Sequence, residues 1–185
     1  MSAIERNTWR PLGLDPSAVE TEVRVRLGTI LLRNGALTPE QLEEALTSMS
    51  RTGERLGETL VRLGWLTERD VARALAEQYG LDYIDLRLAR PESSALALLP
   101  AITAAALSAL PVRLLGNGRV LVAVSDPTDI VALDRLCCEI PGAVALTVAE
   151  RSAIRDHLDA VLRTRNDHGF GEHAPGPDPG TCPAP

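Results

Sequence analysis

Lysine is missing from this 185-residue chain: all 19 basic side chains are arginines, set against 25 acids for a net charge of −6. Without lysine there is no Walker A phosphate loop and no Schiff-base or Ser–Lys chemistry. The acidic balance also excludes a non-specific binder of nucleic-acid polymers, whose affinity comes from cations displacing counterions. An anionic ligand would have to be met by a local arrangement of arginines. Aromatic residues are few, namely Trp9, Trp65, Tyr79, Tyr83 and Phe170, so a chain that is 45% hydrophobic must build its core from Leu, Ala and Val. That composition favours helices over β-sandwiches.

Cysteine is scarce as well. Cys137 and Cys138 are adjacent and Cys182 lies in a Pro/Gly-rich tail, an odd count with no framework, which points to a reducing compartment. The adjacent pair reads as small hydrophobes of a helix, with a redox pair as the alternative. His168, His173 and Cys182 fit no standard zinc spacing, so the tail reads as solvated and no metal or cofactor is expected. Residues 1–13 lack the apolar run of a signal peptide, which predicts a cytoplasmic protein. Residues 93–112 carry no charge over about the length of a membrane span. Pro100 and Pro111 cut that stretch, so two short buried helices, or a helix and a strand, are expected in its place and no membrane insertion.

What is present is a repeat. Residues 26–49, RLGTILLRNGALTPEQLEEALTSM, and 55–78, RLGETLVRLGWLTERDVARALAEQ, agree at 10 positions and are separated by residues 50–54. Leu42, Ala45, Leu46 and Met49 lie at i, i+3, i+4 and i+7, as do Val71, Ala74, Leu75 and Gln78, which is helical spacing. Thr38 before Pro39, with Gln41 three residues on, is a capping box with proline at the first helical position. Thr67 with Asp70 is a weaker version. Gly35 and Gly64 end the shorter helices before them. Each block is thus a helical hairpin.

After Gly80 the pattern changes to short apolar or β-branched runs: YIDL (83–86), VRLL (112–115), RVLVAVS (119–125) and AVALTV (143–148), with GNG (116–118) as a hairpin-type turn. Residues 128–138 and 149–163 have helical periodicity, the latter with an acid early and arginine late. The expected architecture is α+β: an N-terminal four-helix array of two repeated helical hairpins plus a small C-terminal α/β subdomain. The expected boundaries are a flexible arm over 1–21, the hairpins over 22–80, the α/β subdomain over 81–165 and a disordered tail over 166–185, where 9 of the 19 residues from Asp167 on are Pro or Gly.

A duplicated hairpin is explained by packing alone if Leu27, Leu31, Leu42 and Leu46 merely face their counterparts. Three features point beyond packing. Each block opens with arginine beside a glycine, a pairing suited to an anion near a helix start. Gln78 occupies a seam position where packing prefers an apolar residue, so its amide needs a partner. A duplicated site also suits a duplicated ligand.

The RLGxxL…GxLT…L/VxxxL pattern, repeated with a five-residue spacer, resembles the cyclic di-GMP-binding N-terminal domain of type II secretion and type IV pilus assembly ATPases. The resemblance continues through QYGLDYIDL (78–86), LLP (98–100), LPVRLL (110–115) and VAVSDPTDIVALD (122–134). It implies a non-catalytic, ligand-sensing domain whose two motifs each grip half of the cyclic dinucleotide. By position, Arg26, Leu27, Gly28, Leu31, Leu42 and Leu46 would form the first half-site, closed by Met49. Arg55, Leu56, Gly57, Leu60, Val71, Leu75 and Gln78 would form the second, with Asp126 as a contact from the α/β part. Arginine pairs with phosphate or a guanine edge, leucines pack on base and ribose, and glutamine bonds an edge. Two departures stand out: Met49 sits where the family has glutamine, and Val71 where it has leucine. The resemblance also stops before the ATPase. The alternative to a cyclic di-GMP module is a domain that docks a protein of a secretion, pilus or exopolysaccharide machine without nucleotide. An enzyme is not expected, because SDPTD and the scattered acids show no nucleophile–base spacing.

Overall fold

The computed structural model describes residues 26–116 and 118–167. The expected arm, the tail from residue 168 with His168, His173 and Cys182, and Asn117 of the GNG turn lie outside these residues.

Each block folds as a short helix followed by a longer one: α1 (Leu27–Arg33) and α2 (Pro39–Thr52), then α3 (Leu56–Arg62) and α4 (Glu68–Tyr79). The long helices start where local chemistry dictates. Thr38 Oγ1 accepts the Gln41 N–H while the Gln41 side chain accepts the Thr38 N–H, and Thr67 and Asp70 make the same reciprocal pair. Gly35 and Gly64 turn the chain out of α1 and α3 at φ 67° and 73°, a left-handed backbone that glycine adopts without a Cβ penalty.

The hairpins do not merely stack end to end. α1 packs on α4 and α2 on α3, so the two blocks interleave around Ile30, Leu31, Leu37, Ala45, Leu60, Leu66 and Ala74. Arg33 of α1 pairs with Glu77 of α4, and Asn34 Nδ2 donates to Glu77 Oε2 at 3.0 Å. Arg62 of α3 ties the other pair, donating from Nη2 to Ser48 Oγ of α2 at 2.9 Å.

The remainder is a four-stranded mixed sheet flanked by helices. Its strands are β1 (Asp82–Tyr83), β2 (Ala109–Leu114), β3 (Val120–Val124) and β4 (Val144–Val148), in the order β1-β4-β3-β2. β4 runs parallel to β1 and β3, while β2 and β3 form an antiparallel hairpin. Short helices α5 (Ser93–Leu96) and α6 (Ala101–Ala106) precede β2; α7 (Ile130–Glu139) joins β3 to β4; α8 (Arg151–Asp167) follows β4. The core between sheet and helices holds Leu86, Leu99, Leu110, Val120, Val122, Leu136 and Ile154.

The uncharged stretch therefore becomes two short helices running into a strand, and among the described residues no helix is long and apolar enough to cross a membrane. β2 begins earlier than expected and contains Pro111. An edge strand tolerates a residue with no N–H to donate, and its register shifts between Pro111 and Arg113. β1 is shorter than expected: the Asp85 carboxylate accepts the Arg87 N–H at 3.0 Å and its carbonyl accepts from Leu88 and Ala89, which turns the chain out of the sheet. α8 also departs from expectation. It starts at Arg151 with no acid in its first turn, because Glu150 lies just before it, where its carbonyl accepts the Ile154 N–H at 3.1 Å. Cys137 and Cys138 both lie on α7, the first half-buried, the second exposed, and they are free thiols.

Candidate functional site

α4 is the helix that joins the two parts, because Ala72 and Ala76 on its inner face are small enough to seat it against Val148 of β4. The register pairs Val124 with Val148, so the parallel strands β3 and β4 end side by side and their following residues emerge together. Between those strand ends and the second hairpin opens a cleft of about 690 Å³, within the range of small-molecule sites.

α3 supplies one wall with Leu56, Gly57, Glu58, Val61 and Arg62, led in by Glu54 and Arg55; α4 supplies Glu68, Val71, Ala72, Leu75 and Gln78. The facing wall is Ser125, Asp126, Thr128, Ala149 and Arg151, and Leu27 is the contribution of the first block. Gln78 is half-buried here and, among the described residues, its carboxamide has no hydrogen-bond partner. Its donor and acceptor are therefore available to a ligand.

Two arginines, one from each wall, make ion pairs across the cleft. Arg55 pairs with Asp126, and its Nη2 lies 3.8 Å from Asp129 Oδ2. Arg151 Nη1 lies 2.8 Å from Glu58 Oε1. Asp126 is set by an Asx turn, its Oδ1 accepting the Thr128 N–H at 2.8 Å, and Asp129 caps α7 by accepting the Ala132 N–H at 3.0 Å. On the hairpin side a hydrogen bond from Arg62 holds the Glu54 carboxyl below its ordinary range. Behind Arg151, Glu150 is buried and accepts from Tyr83 Oη at 2.9 Å and Arg87 Nη2 at 2.7 Å; burial, then the bond to Glu150, pushes the Tyr83 hydroxyl pKa up.

Of the residues singled out in the sequence, Leu27, Arg55, Leu56, Gly57, Val71, Leu75, Gln78 and Asp126 line this cleft, whereas Arg26, Gly28, Leu31, Leu42, Leu46, Met49 and Leu60 do not. Leu31 and Leu60 are 2% and 0% exposed and lie in the core between the hairpins, where they pack α1 and α3. Gly57 lines the cleft and Gly28 does not, and the space a Cβ would occupy is taken by Leu42 beside Gly28 and by Val71 beside Gly57. Arg26 is exposed, and among the described residues no ion pair holds it. Sequence reasoning missed Glu58, Arg62, Glu68, Ser125, Thr128 and Arg151. Glu58 had a local signal, three residues after Arg55, but Arg151 had none because its place beside α3 depends on the register of the whole sheet.

A cleft of small-molecule size thus lies between a duplicated helical hairpin and the strand ends of a mixed sheet. The MshEN domain family matches residues 79–168. Among solved structures, that of MshE with cdg, cyclic di-GMP, is 36% identical with a TM-score of 0.66, covering 74% of this chain and 98% of that one. The N-terminal domain of XpsE is 27% identical with a TM-score of 0.59, covering 72% and 92%. The chain belongs to the MshEN domain family. Among curated proteins, the type IV pilus assembly ATPase PilB of Thermus thermophilus is 40% identical over 122 residues, 65% of this chain, and PilB of Myxococcus xanthus 30% over 134 residues, 72% of it. The chain spans only 14% and 24% of those ATPases' lengths. The bacteriophage adsorption protein B of Escherichia coli is 34% identical over 142 residues, 77% of this chain and 19% of that protein.

Proposed function

We propose that this chain is a non-catalytic regulatory module that binds cyclic di-GMP, gripped chiefly by the second RLG block. The observation that carries this reading is the cleft itself: Leu56, Val71 and Leu75 line it together with Arg55 and the amide of Gln78, which is unpaired among the described residues. Guanidinium and carboxamide groups together with apolar side chains suit a ligand with phosphates, polar base edges and base faces. The likeness to MshE, solved with cyclic di-GMP, supports the same ligand. The first block contributes Leu27 to the cleft, and its Leu31 lies in the core around which α1 packs on α4.

Calorimetric titration with cyclic di-GMP tests this. Saturable heat and a raised melting temperature are expected at tens of micromolar ligand or below; the absence of both would refute the reading. The second reading, docking of a protein from a secretion, pilus or exopolysaccharide machine, is favoured by Ile130 and Val131, neighbouring apolar side chains on α7 that are 69% and 79% exposed. It predicts that an Ile130→Ser, Val131→Ser variant loses its partner and that the wild-type chain shows no saturable binding of cyclic di-GMP.

A further inference from the structure

The ion pairs across the cleft run in both directions. Arg55 reaches from the helical array to Asp126 on the α/β side, and Arg151 reaches from the α/β side to Glu58 on the helical array. Each wall therefore offers the other both a cation and carboxylate. Resting on the reading of the cleft as a cyclic di-GMP site, we infer that Arg151 is a second phosphate-gripping residue, held in reserve by Glu58, so that a ligand with two phosphates is clamped from both walls.

Three observations carry this. Arg151 and Glu58 both line the cleft and their side chains are 48% and 40% exposed, so an incoming phosphate can replace the carboxylate and Glu58 can return to water. Asp126 is only 13% exposed and further held by the Thr128 N–H, which makes the Arg55 pair the harder of the two to exchange. Finally, one backbone donor at the start of α8 is already engaged, since the Ser152 N–H donates to Glu68 Oε2 at 2.8 Å. The Arg151 side chain lines the cleft, and its fork matches phosphate geometry.

Glu58 has a second task that shapes the test. Its Oε2 accepts the Arg55 N–H at 3.3 Å, as the third residue of a capping box does. Glutamine serves in that position as well, so Glu58→Gln keeps the cap and removes only the charge that restrains Arg151.

The experiment is calorimetry with cyclic di-GMP at two salt concentrations on the wild-type chain and on Arg151→Gln, Arg151→Lys, Glu58→Gln and the double variant Glu58→Gln, Arg151→Gln, with melting curves to confirm folding. Arg151→Gln is expected to weaken binding about tenfold and to flatten its salt dependence, as loss of one charge-assisted contact would. Arg151→Lys should recover part of the affinity. Glu58→Gln should tighten binding roughly three- to fivefold, and the double variant should behave like Arg151→Gln, because Glu58 acts through Arg151. If the wild type binds but Arg151→Gln leaves affinity or its salt dependence unchanged, the clamp is wrong while the cleft remains the site. If the wild type does not bind, the clamp fails along with the reading beneath it.

Discussion

A Cβ placed on Gly57 would lie 2.6 Å from Cγ1 of Val71, whereas at the matching Gly28 it would lie 3.0 and 3.1 Å from the two methyl carbons of Leu42. The glycine of each RLG block is therefore a helix-packing residue, and the two blocks differ in how much they would yield. Val71 is β-branched and stiff at χ1, while Leu42 presents the far end of a flexible side chain. Gly57→Ala is expected to destabilise the chain by about 1–2 kcal/mol, overpacking outweighing the gain in helix propensity. Gly28→Ala should stay within about 1 kcal/mol of wild type. Denaturant melts of the two variants decide this, and equal losses would contradict it.

Arg55 lines the cleft and Arg26 does not. Arg55→Ala is expected to weaken cyclic di-GMP binding roughly 10- to 100-fold, the worth of a charge-assisted hydrogen bond. Arg26→Ala should cost markedly less. Calorimetric dissociation constants compare the two directly, and a larger loss at Arg26 would move the principal grip to the first block.

Gln78 and Met49 occupy equivalent places in the repeat, but only Gln78 reaches the cleft. Gln78→Ala is expected to weaken binding about fivefold, the equivalent of one neutral hydrogen bond of ~1 kcal/mol. Met49→Gln should leave the dissociation constant unchanged. A clear tightening on Met49→Gln would place the first block in the ligand's reach.

Asp70 caps α4, and its pKa is lowered below the ordinary 3.8, first by the Thr67 side-chain hydrogen bond and then by the Thr67 backbone. A carboxyl whose pKa falls on folding contributes stability that is complete above its unfolded value and disappears as pH falls through the folded one. Asp70→Ala is therefore expected to lower the melting temperature at pH 7, and the gap from wild type should close as pH drops below 3.8. A gap that persisted at pH 2 would show that packing, and not charge, is the contribution of Asp70.

The helix starts at Thr38 and Thr67, the left-handed exits at Gly35 and Gly64, and the β2–β3 hairpin were legible in the sequence because each depends on groups only a few residues apart. The repeat and its resemblance likewise pointed to Arg55 and Gln78 without knowledge of where they sit. Periodicity told which residues are apolar but not what each apolar face meets. Leu31 and Leu60 are buried in the seam between hairpins, while Leu56 and Leu75 of the same pattern face the cleft. The crossing of α1 onto α4 and α2 onto α3, the order β1-β4-β3-β2, and the meeting of Arg151 with Glu58 were decided only by tertiary structure. Those contacts join residues far apart in the chain, and their geometry follows from packing all the elements at once, which no local stretch of sequence encodes.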